Sequence, residues 1–155
     1  MKENFSIQFI SHTTESLTYL EGIKLALKGG CKWIQLRMKD ASDEEFMSVA
    51  IQARRLCSEA GATFILDDRV EMVEKCGADG VHLGKNDMSP DKAREILGRG
   101  KIIGGTANTL EDIISLYEKG VALALDSKMV PRSEWGNTPL HEGAKLLVIR
   151  ATCGG

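Results

Sequence analysis

The feature that most constrains the fold of this chain is a regular alternation of short β-prone runs with amphipathic helical patterns. Apolar residues recur at helical spacing between these runs, most clearly over residues 42–60. Strands that alternate with helices in this way are typical of a parallel α/β fold. The predicted strands are residues 5–10, 33–36, 63–66, 80–83 and 101–104, with residues 121–125 as a sixth.

Capping residues mark the starts of the predicted helices. Ser42 stands three residues before Glu45, which is the spacing of a capping box, and Thr109 and Asp112 have a similar arrangement. Ser89 precedes a proline that suits the first helical position. The predicted helices cover residues 15–28, 42–60, 70–76, 90–97 and 110–119.

The order of these elements favours a TIM (β/α)₈-barrel type over a dinucleotide-binding fold, because no GxGxxG follows the first strand. About five to six βα units are legible, so the predicted barrel is incomplete. The pattern breaks after residue 120: residues 126–144 contain no clear helix, and residues 146–149 are predicted as a strand without a following helix. We therefore predict barrel units over residues 1–120 and an atypical segment over residues 121–155.

Composition excludes several classes of protein. Twenty Lys and Arg against 22 Asp and Glu give a net charge of −2, which argues against nucleic-acid binding through bulk positive charge. No apolar run of about 18 residues exists, so we expect no membrane span. The four cysteines lack CxxC spacing, and Cys57 and Cys76 fall on apolar helical positions. We expect buried thiols in a reducing cytoplasm rather than disulfides or a zinc site.

Polar side chains gather after the second predicted strand. Gln35, Arg37 and Lys39 alternate with Leu36 and Met38, so a period of two places all three polar groups on one side. Two cations and an amide suit a phosphate or diphosphate, with arginine as a fork and lysine as a point charge. The alternative is a solvated strand end without a ligand.

Acidic side chains follow the next two predicted strands. Asp67 and Asp68 come directly after the third strand, and Asp87 lies shortly after the fourth. Strand ends of a parallel sheet share one face, and carboxylate oxygens there can hold Mg²⁺ that bridges to substrate phosphates. The alternative for each acid is a helix N-cap. Thr106, after the fifth strand, can hydrogen-bond the same ligand or serve as a plain loop hydroxyl.

Histidines offer weaker candidates. His82 lies within the fourth predicted strand and is expected to be a packed, hydrogen-bonded side chain rather than a base. His12, at the end of the first strand, is a weak candidate for lining a pocket. No Ser/His/Asp or Cys/His arrangement indicates a protein nucleophile.

Several motifs together resemble the thiamine-phosphate synthase (thiamine-phosphate pyrophosphorylase) family. They are Gln35–Lys39, Phe64–Val70, Gly77–Gly84 with its downstream acid Asp87, and Ile102–Thr106, in this order. The resemblance covers about residues 5–120, and its most specific part is the run from Gly77 to Gly84. It implies a TIM barrel and a transferase that joins hydroxymethylpyrimidine diphosphate to thiazole phosphate, giving thiamine phosphate and diphosphate.

The resemblance also implies roles for the residues of the motifs. Gln35, Arg37 and Lys39 would bind the pyrimidine diphosphate, with Arg37 and Lys39 as the catalytic cations. Asp68 and Asp87 would hold Mg²⁺. No protein nucleophile would be needed, since the thiazole nitrogen attacks and the aminopyrimidine can support a carbocation.

This chain departs from the family pattern at several positions. Met38 stands where the family usually has glutamate, and Asp67 stands where it has an asparagine that contacts the pyrimidine. Thr106 matches a family serine with the same contact. The Thr- and Lys-rich loop and the Gly-Gly phosphate loop of the family, which bind thiazole phosphate, are not recognisable in residues 121–155.

Two alternatives to the synthase remain open. One is a thiazole tautomerase-like protein, which the acids Asp68 and Asp87 disfavour, and the other is a non-catalytic partial barrel that binds pyrimidine diphosphate. Small-molecule substrates are the expected partners, without nucleic acid or membrane, and a partial sheet with uncovered edges allows a homo-oligomer.

The loss of pattern near Val121 suggests that the reading frame has shifted there, with a naturally remodelled end as the alternative. Resequencing the genomic DNA across codon 121 tests this hypothesis. We expect a displaced frame, and an intact frame that encodes the same residues would exclude it.

Overall fold

The computed structural model describes residues 7–109, 112–113, 121–125, 128–141, 143 and 146–150. The chain separates into two compact units, residues 1–104 and residues 105–155. The predicted boundary at residue 120 lies outside the described residues. Within the described ranges, no helix is long and apolar enough to cross a membrane.

Strands and helices alternate along the first unit, which confirms the predicted α/β class. The five strands form one sheet in the order β1-β2-β3-β4-β5, and the pairs from β1 to β4 are parallel. The elements are β1 (Phe9–Ile10), α1 (Tyr19–Lys28), β2 (Trp33–Leu36), α2 (Asp43–Glu59), β3 (Thr63–Asp67), a 3₁₀ turn (Val70–Met72), α3 (Val73–Cys76), β4 (Gly80–Leu83), α4 (Pro90–Leu97) and β5 (Ile102–Gly105).

Capping explains where the helices begin. The Thr18 hydroxyl accepts the Glu21 N–H while the Glu21 carboxylate accepts the Thr18 N–H, a complete capping box. This box starts α1 at Tyr19, four residues later than the predicted start at residue 15. Ser42 and Ser89 cap α2 and α4 as predicted, each accepting a backbone N–H three residues on.

The core of the first unit lies between the sheet and its helices. Near-continuous apolar runs in β2 and β3 are buried, as expected for strands of a parallel sheet that is covered by helices. Phe46 of α2 is fully buried against this core, and burying one such side chain contributes about 1.5–3 kcal/mol. Cys57 and Cys76 are buried as predicted, and burial raises the pKa of the Cys57 thiol to about 12, so the thiol stays protonated.

The described part of the second unit contains a small antiparallel sheet. Its strands are β6 (Val121–Leu125), β7 (Lys128–Val130) and β8 (Leu146–Arg150), in the order β7-β6-β8, with a 3₁₀ helix (Arg132–Asn137) after β7. Residues 121–125 and 146–149 are strands as predicted, but the expectation of a sixth parallel strand was wrong. β6 instead pairs antiparallel with both β7 and β8. The two residues between β6 and β7 allow an antiparallel hairpin, whereas a parallel pair of these strands would need a connection of a dozen or more residues.

The predicted helix at residues 110–119 lies mostly outside the described residues. Its predicted cap is present: the Thr109 hydroxyl accepts the Asp112 N–H at 3.2 Å, and the Asp112 carboxylate accepts the Thr109 N–H at 3.1 Å.

The 3₁₀ helix after β7 is held by Trp135. The Trp135 side chain is buried, and its indole N–H donates to the Val130 carbonyl at 2.8 Å.

Gly80 allows β4 and β5 to approach closely. A Cβ at this position would lie 2.1 Å from the Ile102 carbonyl oxygen and 2.7 Å from the Ile102 Cβ. We expect Gly80→Ala to lower the free energy of unfolding by about 1–3 kcal/mol or more, since the backbone must shift. Urea denaturation followed by circular dichroism measures this loss.

Gly100→Ala is the matched control, because a Cβ there meets no atom within 4 Å. Equal stabilities of the two variants would show that the strand contact at Gly80 is not tight.

Candidate active site

A chain of side-chain hydrogen bonds runs from Gln8, just before β1, through Gln35 of β2 to Asp67 at the end of β3. The Gln8 side-chain amide donates to Gln35 Oε1 at 3.0 Å, and Gln35 Nε2 donates to Asp67 Oδ1 at 2.5 Å. Gln35 is 2% exposed and Asp67 is 9% exposed. A buried carboxylate requires such donors, because an unpaired charge would be costly to desolvate.

Arg37 completes the environment of this carboxylate. Its Nε lies 3.2 Å from Asp67 Oδ2. Each oxygen of Asp67 therefore faces its own donor, Oδ1 the amide of Gln35 and Oδ2 the guanidinium of Arg37. The Arg37 backbone N–H donates to the Ser11 hydroxyl at 2.9 Å, which ties it to the end of β1. The Arg37 side chain is 41% exposed. A guanidinium has five N–H donors, so the fork retains capacity to bind an anion from solvent.

Met38 and Lys39 follow the predicted alternation. Met38 is buried in the core, whereas Lys39 is exposed in the turn after β2. The structure thus places both Gln35 and Arg37 in contact with Asp67 and leaves Lys39 exposed two residues beyond Arg37.

Asp68 and Asp87 form an acidic pair at the ends of β3 and β4. Asp68 has φ 66°, the one positive φ among the described non-glycine residues, and its N–H donates to the His82 carbonyl at 2.9 Å. Partial burial raises the pKa of Asp68 to about 6, helped by a hydrogen bond with Asp87 and by the charges of Asp67 and Asp87. Since Asp68 is exposed to solvent, we assign much of this pKa shift to the neighbouring carboxylates.

Gly84 holds the Asp87 carboxylate in place. The Gly84 N–H donates to Asp87 Oδ2 at 2.6 Å, and the Asp87 N–H donates back to the Gly84 carbonyl at 3.2 Å. A Cβ at Gly84 would lie 2.6 Å from the same Oδ2. Glycine is therefore needed for this close approach of carboxylate to backbone.

The acidic pair suits a divalent cation whose coordination is completed by other ligands. Within the described residues, no group of three or more His, Cys, Asp or Glu side chains is arranged to hold a metal. Two neighbouring carboxylates would gain from a hard cation, and Mg²⁺ commonly takes one or two carboxylates plus water and substrate phosphate oxygens. The oxygen donors of Asp68 and Asp87 fit that pattern.

The structure also describes Thr106, His82 and His12. Thr106 follows β5 directly and belongs to the second unit. His82 is half-buried in β4, where a Cβ on Gly104 would approach its Nδ1 to 3.0 Å, which confirms a packed histidine. His12 is exposed, with its ring 6.3 Å from that of Phe9.

Three contributors were missed by the sequence interpretation: Gln8, Ser11 and Arg69. Ser11 follows β1 directly, so the rule that strand ends share a face would have identified it. Gln8 lies just before β1, where no local pattern marks it. Arg69 lies within the Phe64–Val70 motif, but its contacts 26–28 residues away could not be read from the sequence.

The raised pKa of Asp68 predicts how stability depends on pH. Its folded value of about 6 lies above the ordinary 3.8, so the protonated carboxyl favours folding. This contribution is fully present below about pH 4 and is lost as the pH rises through about 6. We expect Asp68→Asn to flatten the fall in unfolding free energy over this range, measured by urea denaturation at several pH values.

Asparagine is the suitable replacement because it tolerates positive φ. Glu95→Gln, on the exposed face of α4, is the control and should keep the wild-type slope. An unchanged slope in Asp68→Asn would show that Asp68 titrates normally.

Comparisons with known proteins show which family this chain resembles. The family model described as thiamine monophosphate synthase matches residues 7–133. A thiamine-phosphate synthase of Bacteroides thetaiotaomicron is 56% identical over 115 residues, covering 74% of this chain and 55% of that protein. One of Bacteroides fragilis is 58% identical over 108 residues, covering 70% of this chain and 53% of the relative.

A solved structure shows the same fold. Thiamine phosphate pyrophosphorylase from Pyrococcus furiosus matches with a TM-score of 0.64 and 34% identity, covering 69% of this chain and 52% of that one. Together with the parallel sheet, this likeness confirms the predicted barrel-type fold. The chain spans about half the length of the curated relatives it matches.

Proposed function

Because the chain belongs to the thiamine monophosphate synthase family, we propose that its strand ends bind the diphosphate of a hydroxymethylpyrimidine diphosphate and promote its departure. In the complete reaction, thiazole phosphate then takes the pyrimidine, giving thiamine phosphate and diphosphate. The observation that supports this role is the Gln35–Asp67–Arg37 network next to the Asp68–Asp87 pair. One part offers a cation to the diphosphate, and the other offers carboxylates to Mg²⁺.

Arg37 is the proposed catalytic cation. Asp67 engages its Nε and thereby orients the guanidinium, while Gln35 holds the other oxygen of Asp67. The remaining N–H groups of Arg37 would bind diphosphate oxygens, and these bonds would strengthen as negative charge accumulates on the leaving group. Lys39, exposed two residues further on, would add a second positive charge at the same end of the sheet.

Asp68 and Asp87 are the proposed Mg²⁺ ligands. Their mutual hydrogen bond would be replaced by shared coordination, and Gly84 would keep the Asp87 carboxylate oriented. When bound, Mg²⁺ would supply positive charge that neutralises the leaving diphosphate.

The bond-breaking step needs no nucleophile from the protein. The bond between the pyrimidine methylene carbon and the diphosphate oxygen breaks, its electron pair leaves with diphosphate, and the electron-rich ring supports the resulting cation. The thiazole nitrogen then forms the new bond to this carbon. We propose that Thr106, and the Asp67 that replaces the usual asparagine, face the pyrimidine.

The Asp67 substitution changes how this contact would work. An ionised aspartate only accepts hydrogen bonds, and both oxygens already face donors from Gln35 and Arg37. Asp67 would therefore act mainly on the position of Arg37, rather than as a donor to the ring.

The same network also fits a second candidate, a non-catalytic partial barrel that binds pyrimidine diphosphate without coupling it to thiazole. The thiazole tautomerase alternative has less support, because it gives no role to the acidic pair. We also propose a cytoplasmic location, in keeping with a small-molecule biosynthetic enzyme.

We expect Asp87→Ala to weaken Mg²⁺-dependent binding of hydroxymethylpyrimidine diphosphate at least about tenfold, since one metal ligand is lost. Isothermal titration calorimetry with and without Mg²⁺ measures this change. Glu95→Ala removes an exposed carboxylate on α4 and should bind as wild type. Binding that is independent of Mg²⁺, or unchanged in Asp87→Ala, would remove the acidic pair from the site.

Incubation with both substrates and Mg²⁺ distinguishes the two candidates. Chromatography that detects thiamine phosphate supports the synthase, whereas tight binding without any coupled product supports the binding-only form.

A further inference from the structure

Arg69, directly after the acidic residue Asp68, makes three contacts with one neighbouring segment. Its guanidinium pairs with the Asp43 carboxylate, donates to the Ala41 carbonyl at 2.7 Å, and lies 4.5 Å from the centre of the Phe46 ring. The Arg69 side chain is only 22% exposed. Arginine is suited to this combination, because its planar fork can hydrogen-bond at its edge while its face stacks on an aromatic ring.

The segment that Arg69 contacts connects the basic residues to α2. Ala41 lies two residues after Lys39, and Asp43 begins α2. Phe46 is fully buried, so it provides a fixed surface for the guanidinium. Arg69 therefore joins the loop after β3 to the loop after β2.

The backbone of Arg69 lies in a turn that two hydrogen bonds close. Its N–H donates to the Asp67 carbonyl at 2.9 Å, and the Val70 N–H donates to the Asp68 carbonyl at 3.2 Å. Asp68 lies between them with a positive φ, a strained conformation that a non-glycine residue keeps only where its surroundings hold it. The contacts of Arg69 are well placed to supply that constraint.

We propose that Arg69 is a positioning residue: it fixes the acidic pair of the β3 and β4 ends relative to the Arg37–Lys39 segment. A displacement of about 1 Å between the groups that hold Mg²⁺ and those that hold diphosphate weakens both interactions, since the two ligands bind each other. Arg69 touches neither ligand in this scheme. The inference rests on the proposed function, because it concerns the same site.

The test compares Arg69→Met with Arg55→Met. Arg55 makes an exposed ion pair with Glu59 on α2, so its loss removes a salt bridge without touching either loop. Mn²⁺ affinity in the presence of inorganic diphosphate is measured by electron paramagnetic resonance, below the unfolding temperature of every variant. We expect a roughly tenfold or greater loss for Arg69→Met and no change for Arg55→Met.

A second readout is independent of any ligand. The backbone amide NMR shifts of Asp68 and Lys39 should change together in ligand-free Arg69→Met, and stay as wild type in Arg55→Met. If Arg69→Met does not fold, Arg69→Lys takes its place: lysine keeps the pair with Asp43 but cannot stack and bond as a fork, so an intermediate loss of affinity is expected.

The outcomes separate this inference from the proposed function. If wild type binds no Mn²⁺ with diphosphate but the Asp68 and Lys39 shifts change in Arg69→Met, the positioning role stands and the proposed metal site fails. If wild type binds Mn²⁺ and Arg69→Met binds equally, the positioning role is overturned. Unchanged shifts at both amides also overturn it.

Discussion

The parallel pairing of β2, β3 and β4 is the constraint on which the site depends. Gln35 is level with Ile65, and Asp67 is level with His82, so the carboxyl ends of these strands reach the same edge of the sheet. Each strand is followed by a helix that returns the chain to the opposite edge of the sheet. The polar residues at the start of each loop after a strand therefore lie on the same edge. A shift of one residue in this register would send Gln35 to the other face and break its bond to Asp67.

The burial of Asp67 determines which groups surround the carboxylates of the site. A carboxylate that is nine-tenths buried is tolerated only with strong donors, and Gln35 and Arg37 supply them. Asp68, one residue later, stands in a different environment: it is exposed, but it faces two other carboxylates. Two adjacent aspartates therefore have opposite electrostatic surroundings: Asp67 is paired with a cation, whereas Asp68 is next to other carboxylates.

The departures from the family pattern have a physical account at two positions. Met38 is buried in the core, where an apolar side chain packs without the desolvation cost of a glutamate. Asp67 forms an ion pair with Arg37 that the neutral asparagine usual in the family cannot form. The predicted ligand roles of all the site residues stay predictions; among them, Lys39 is exposed and Thr106 lies in the second unit.

The sequence by itself determined the order and type of the elements in the first unit, because helical caps and hydrophobic periodicity are local signals. It also placed Gln35, Arg37, Asp67, Asp68 and Asp87 at strand ends, as their positions after apolar runs require. Only the tertiary structure decided which of these groups touch, since Gln35 meets Asp67 across 32 residues and Arg69 meets Ala41 across 28. It also decided that β6 pairs antiparallel, because a short apolar run is equally compatible with either strand direction and only its partners distinguish them.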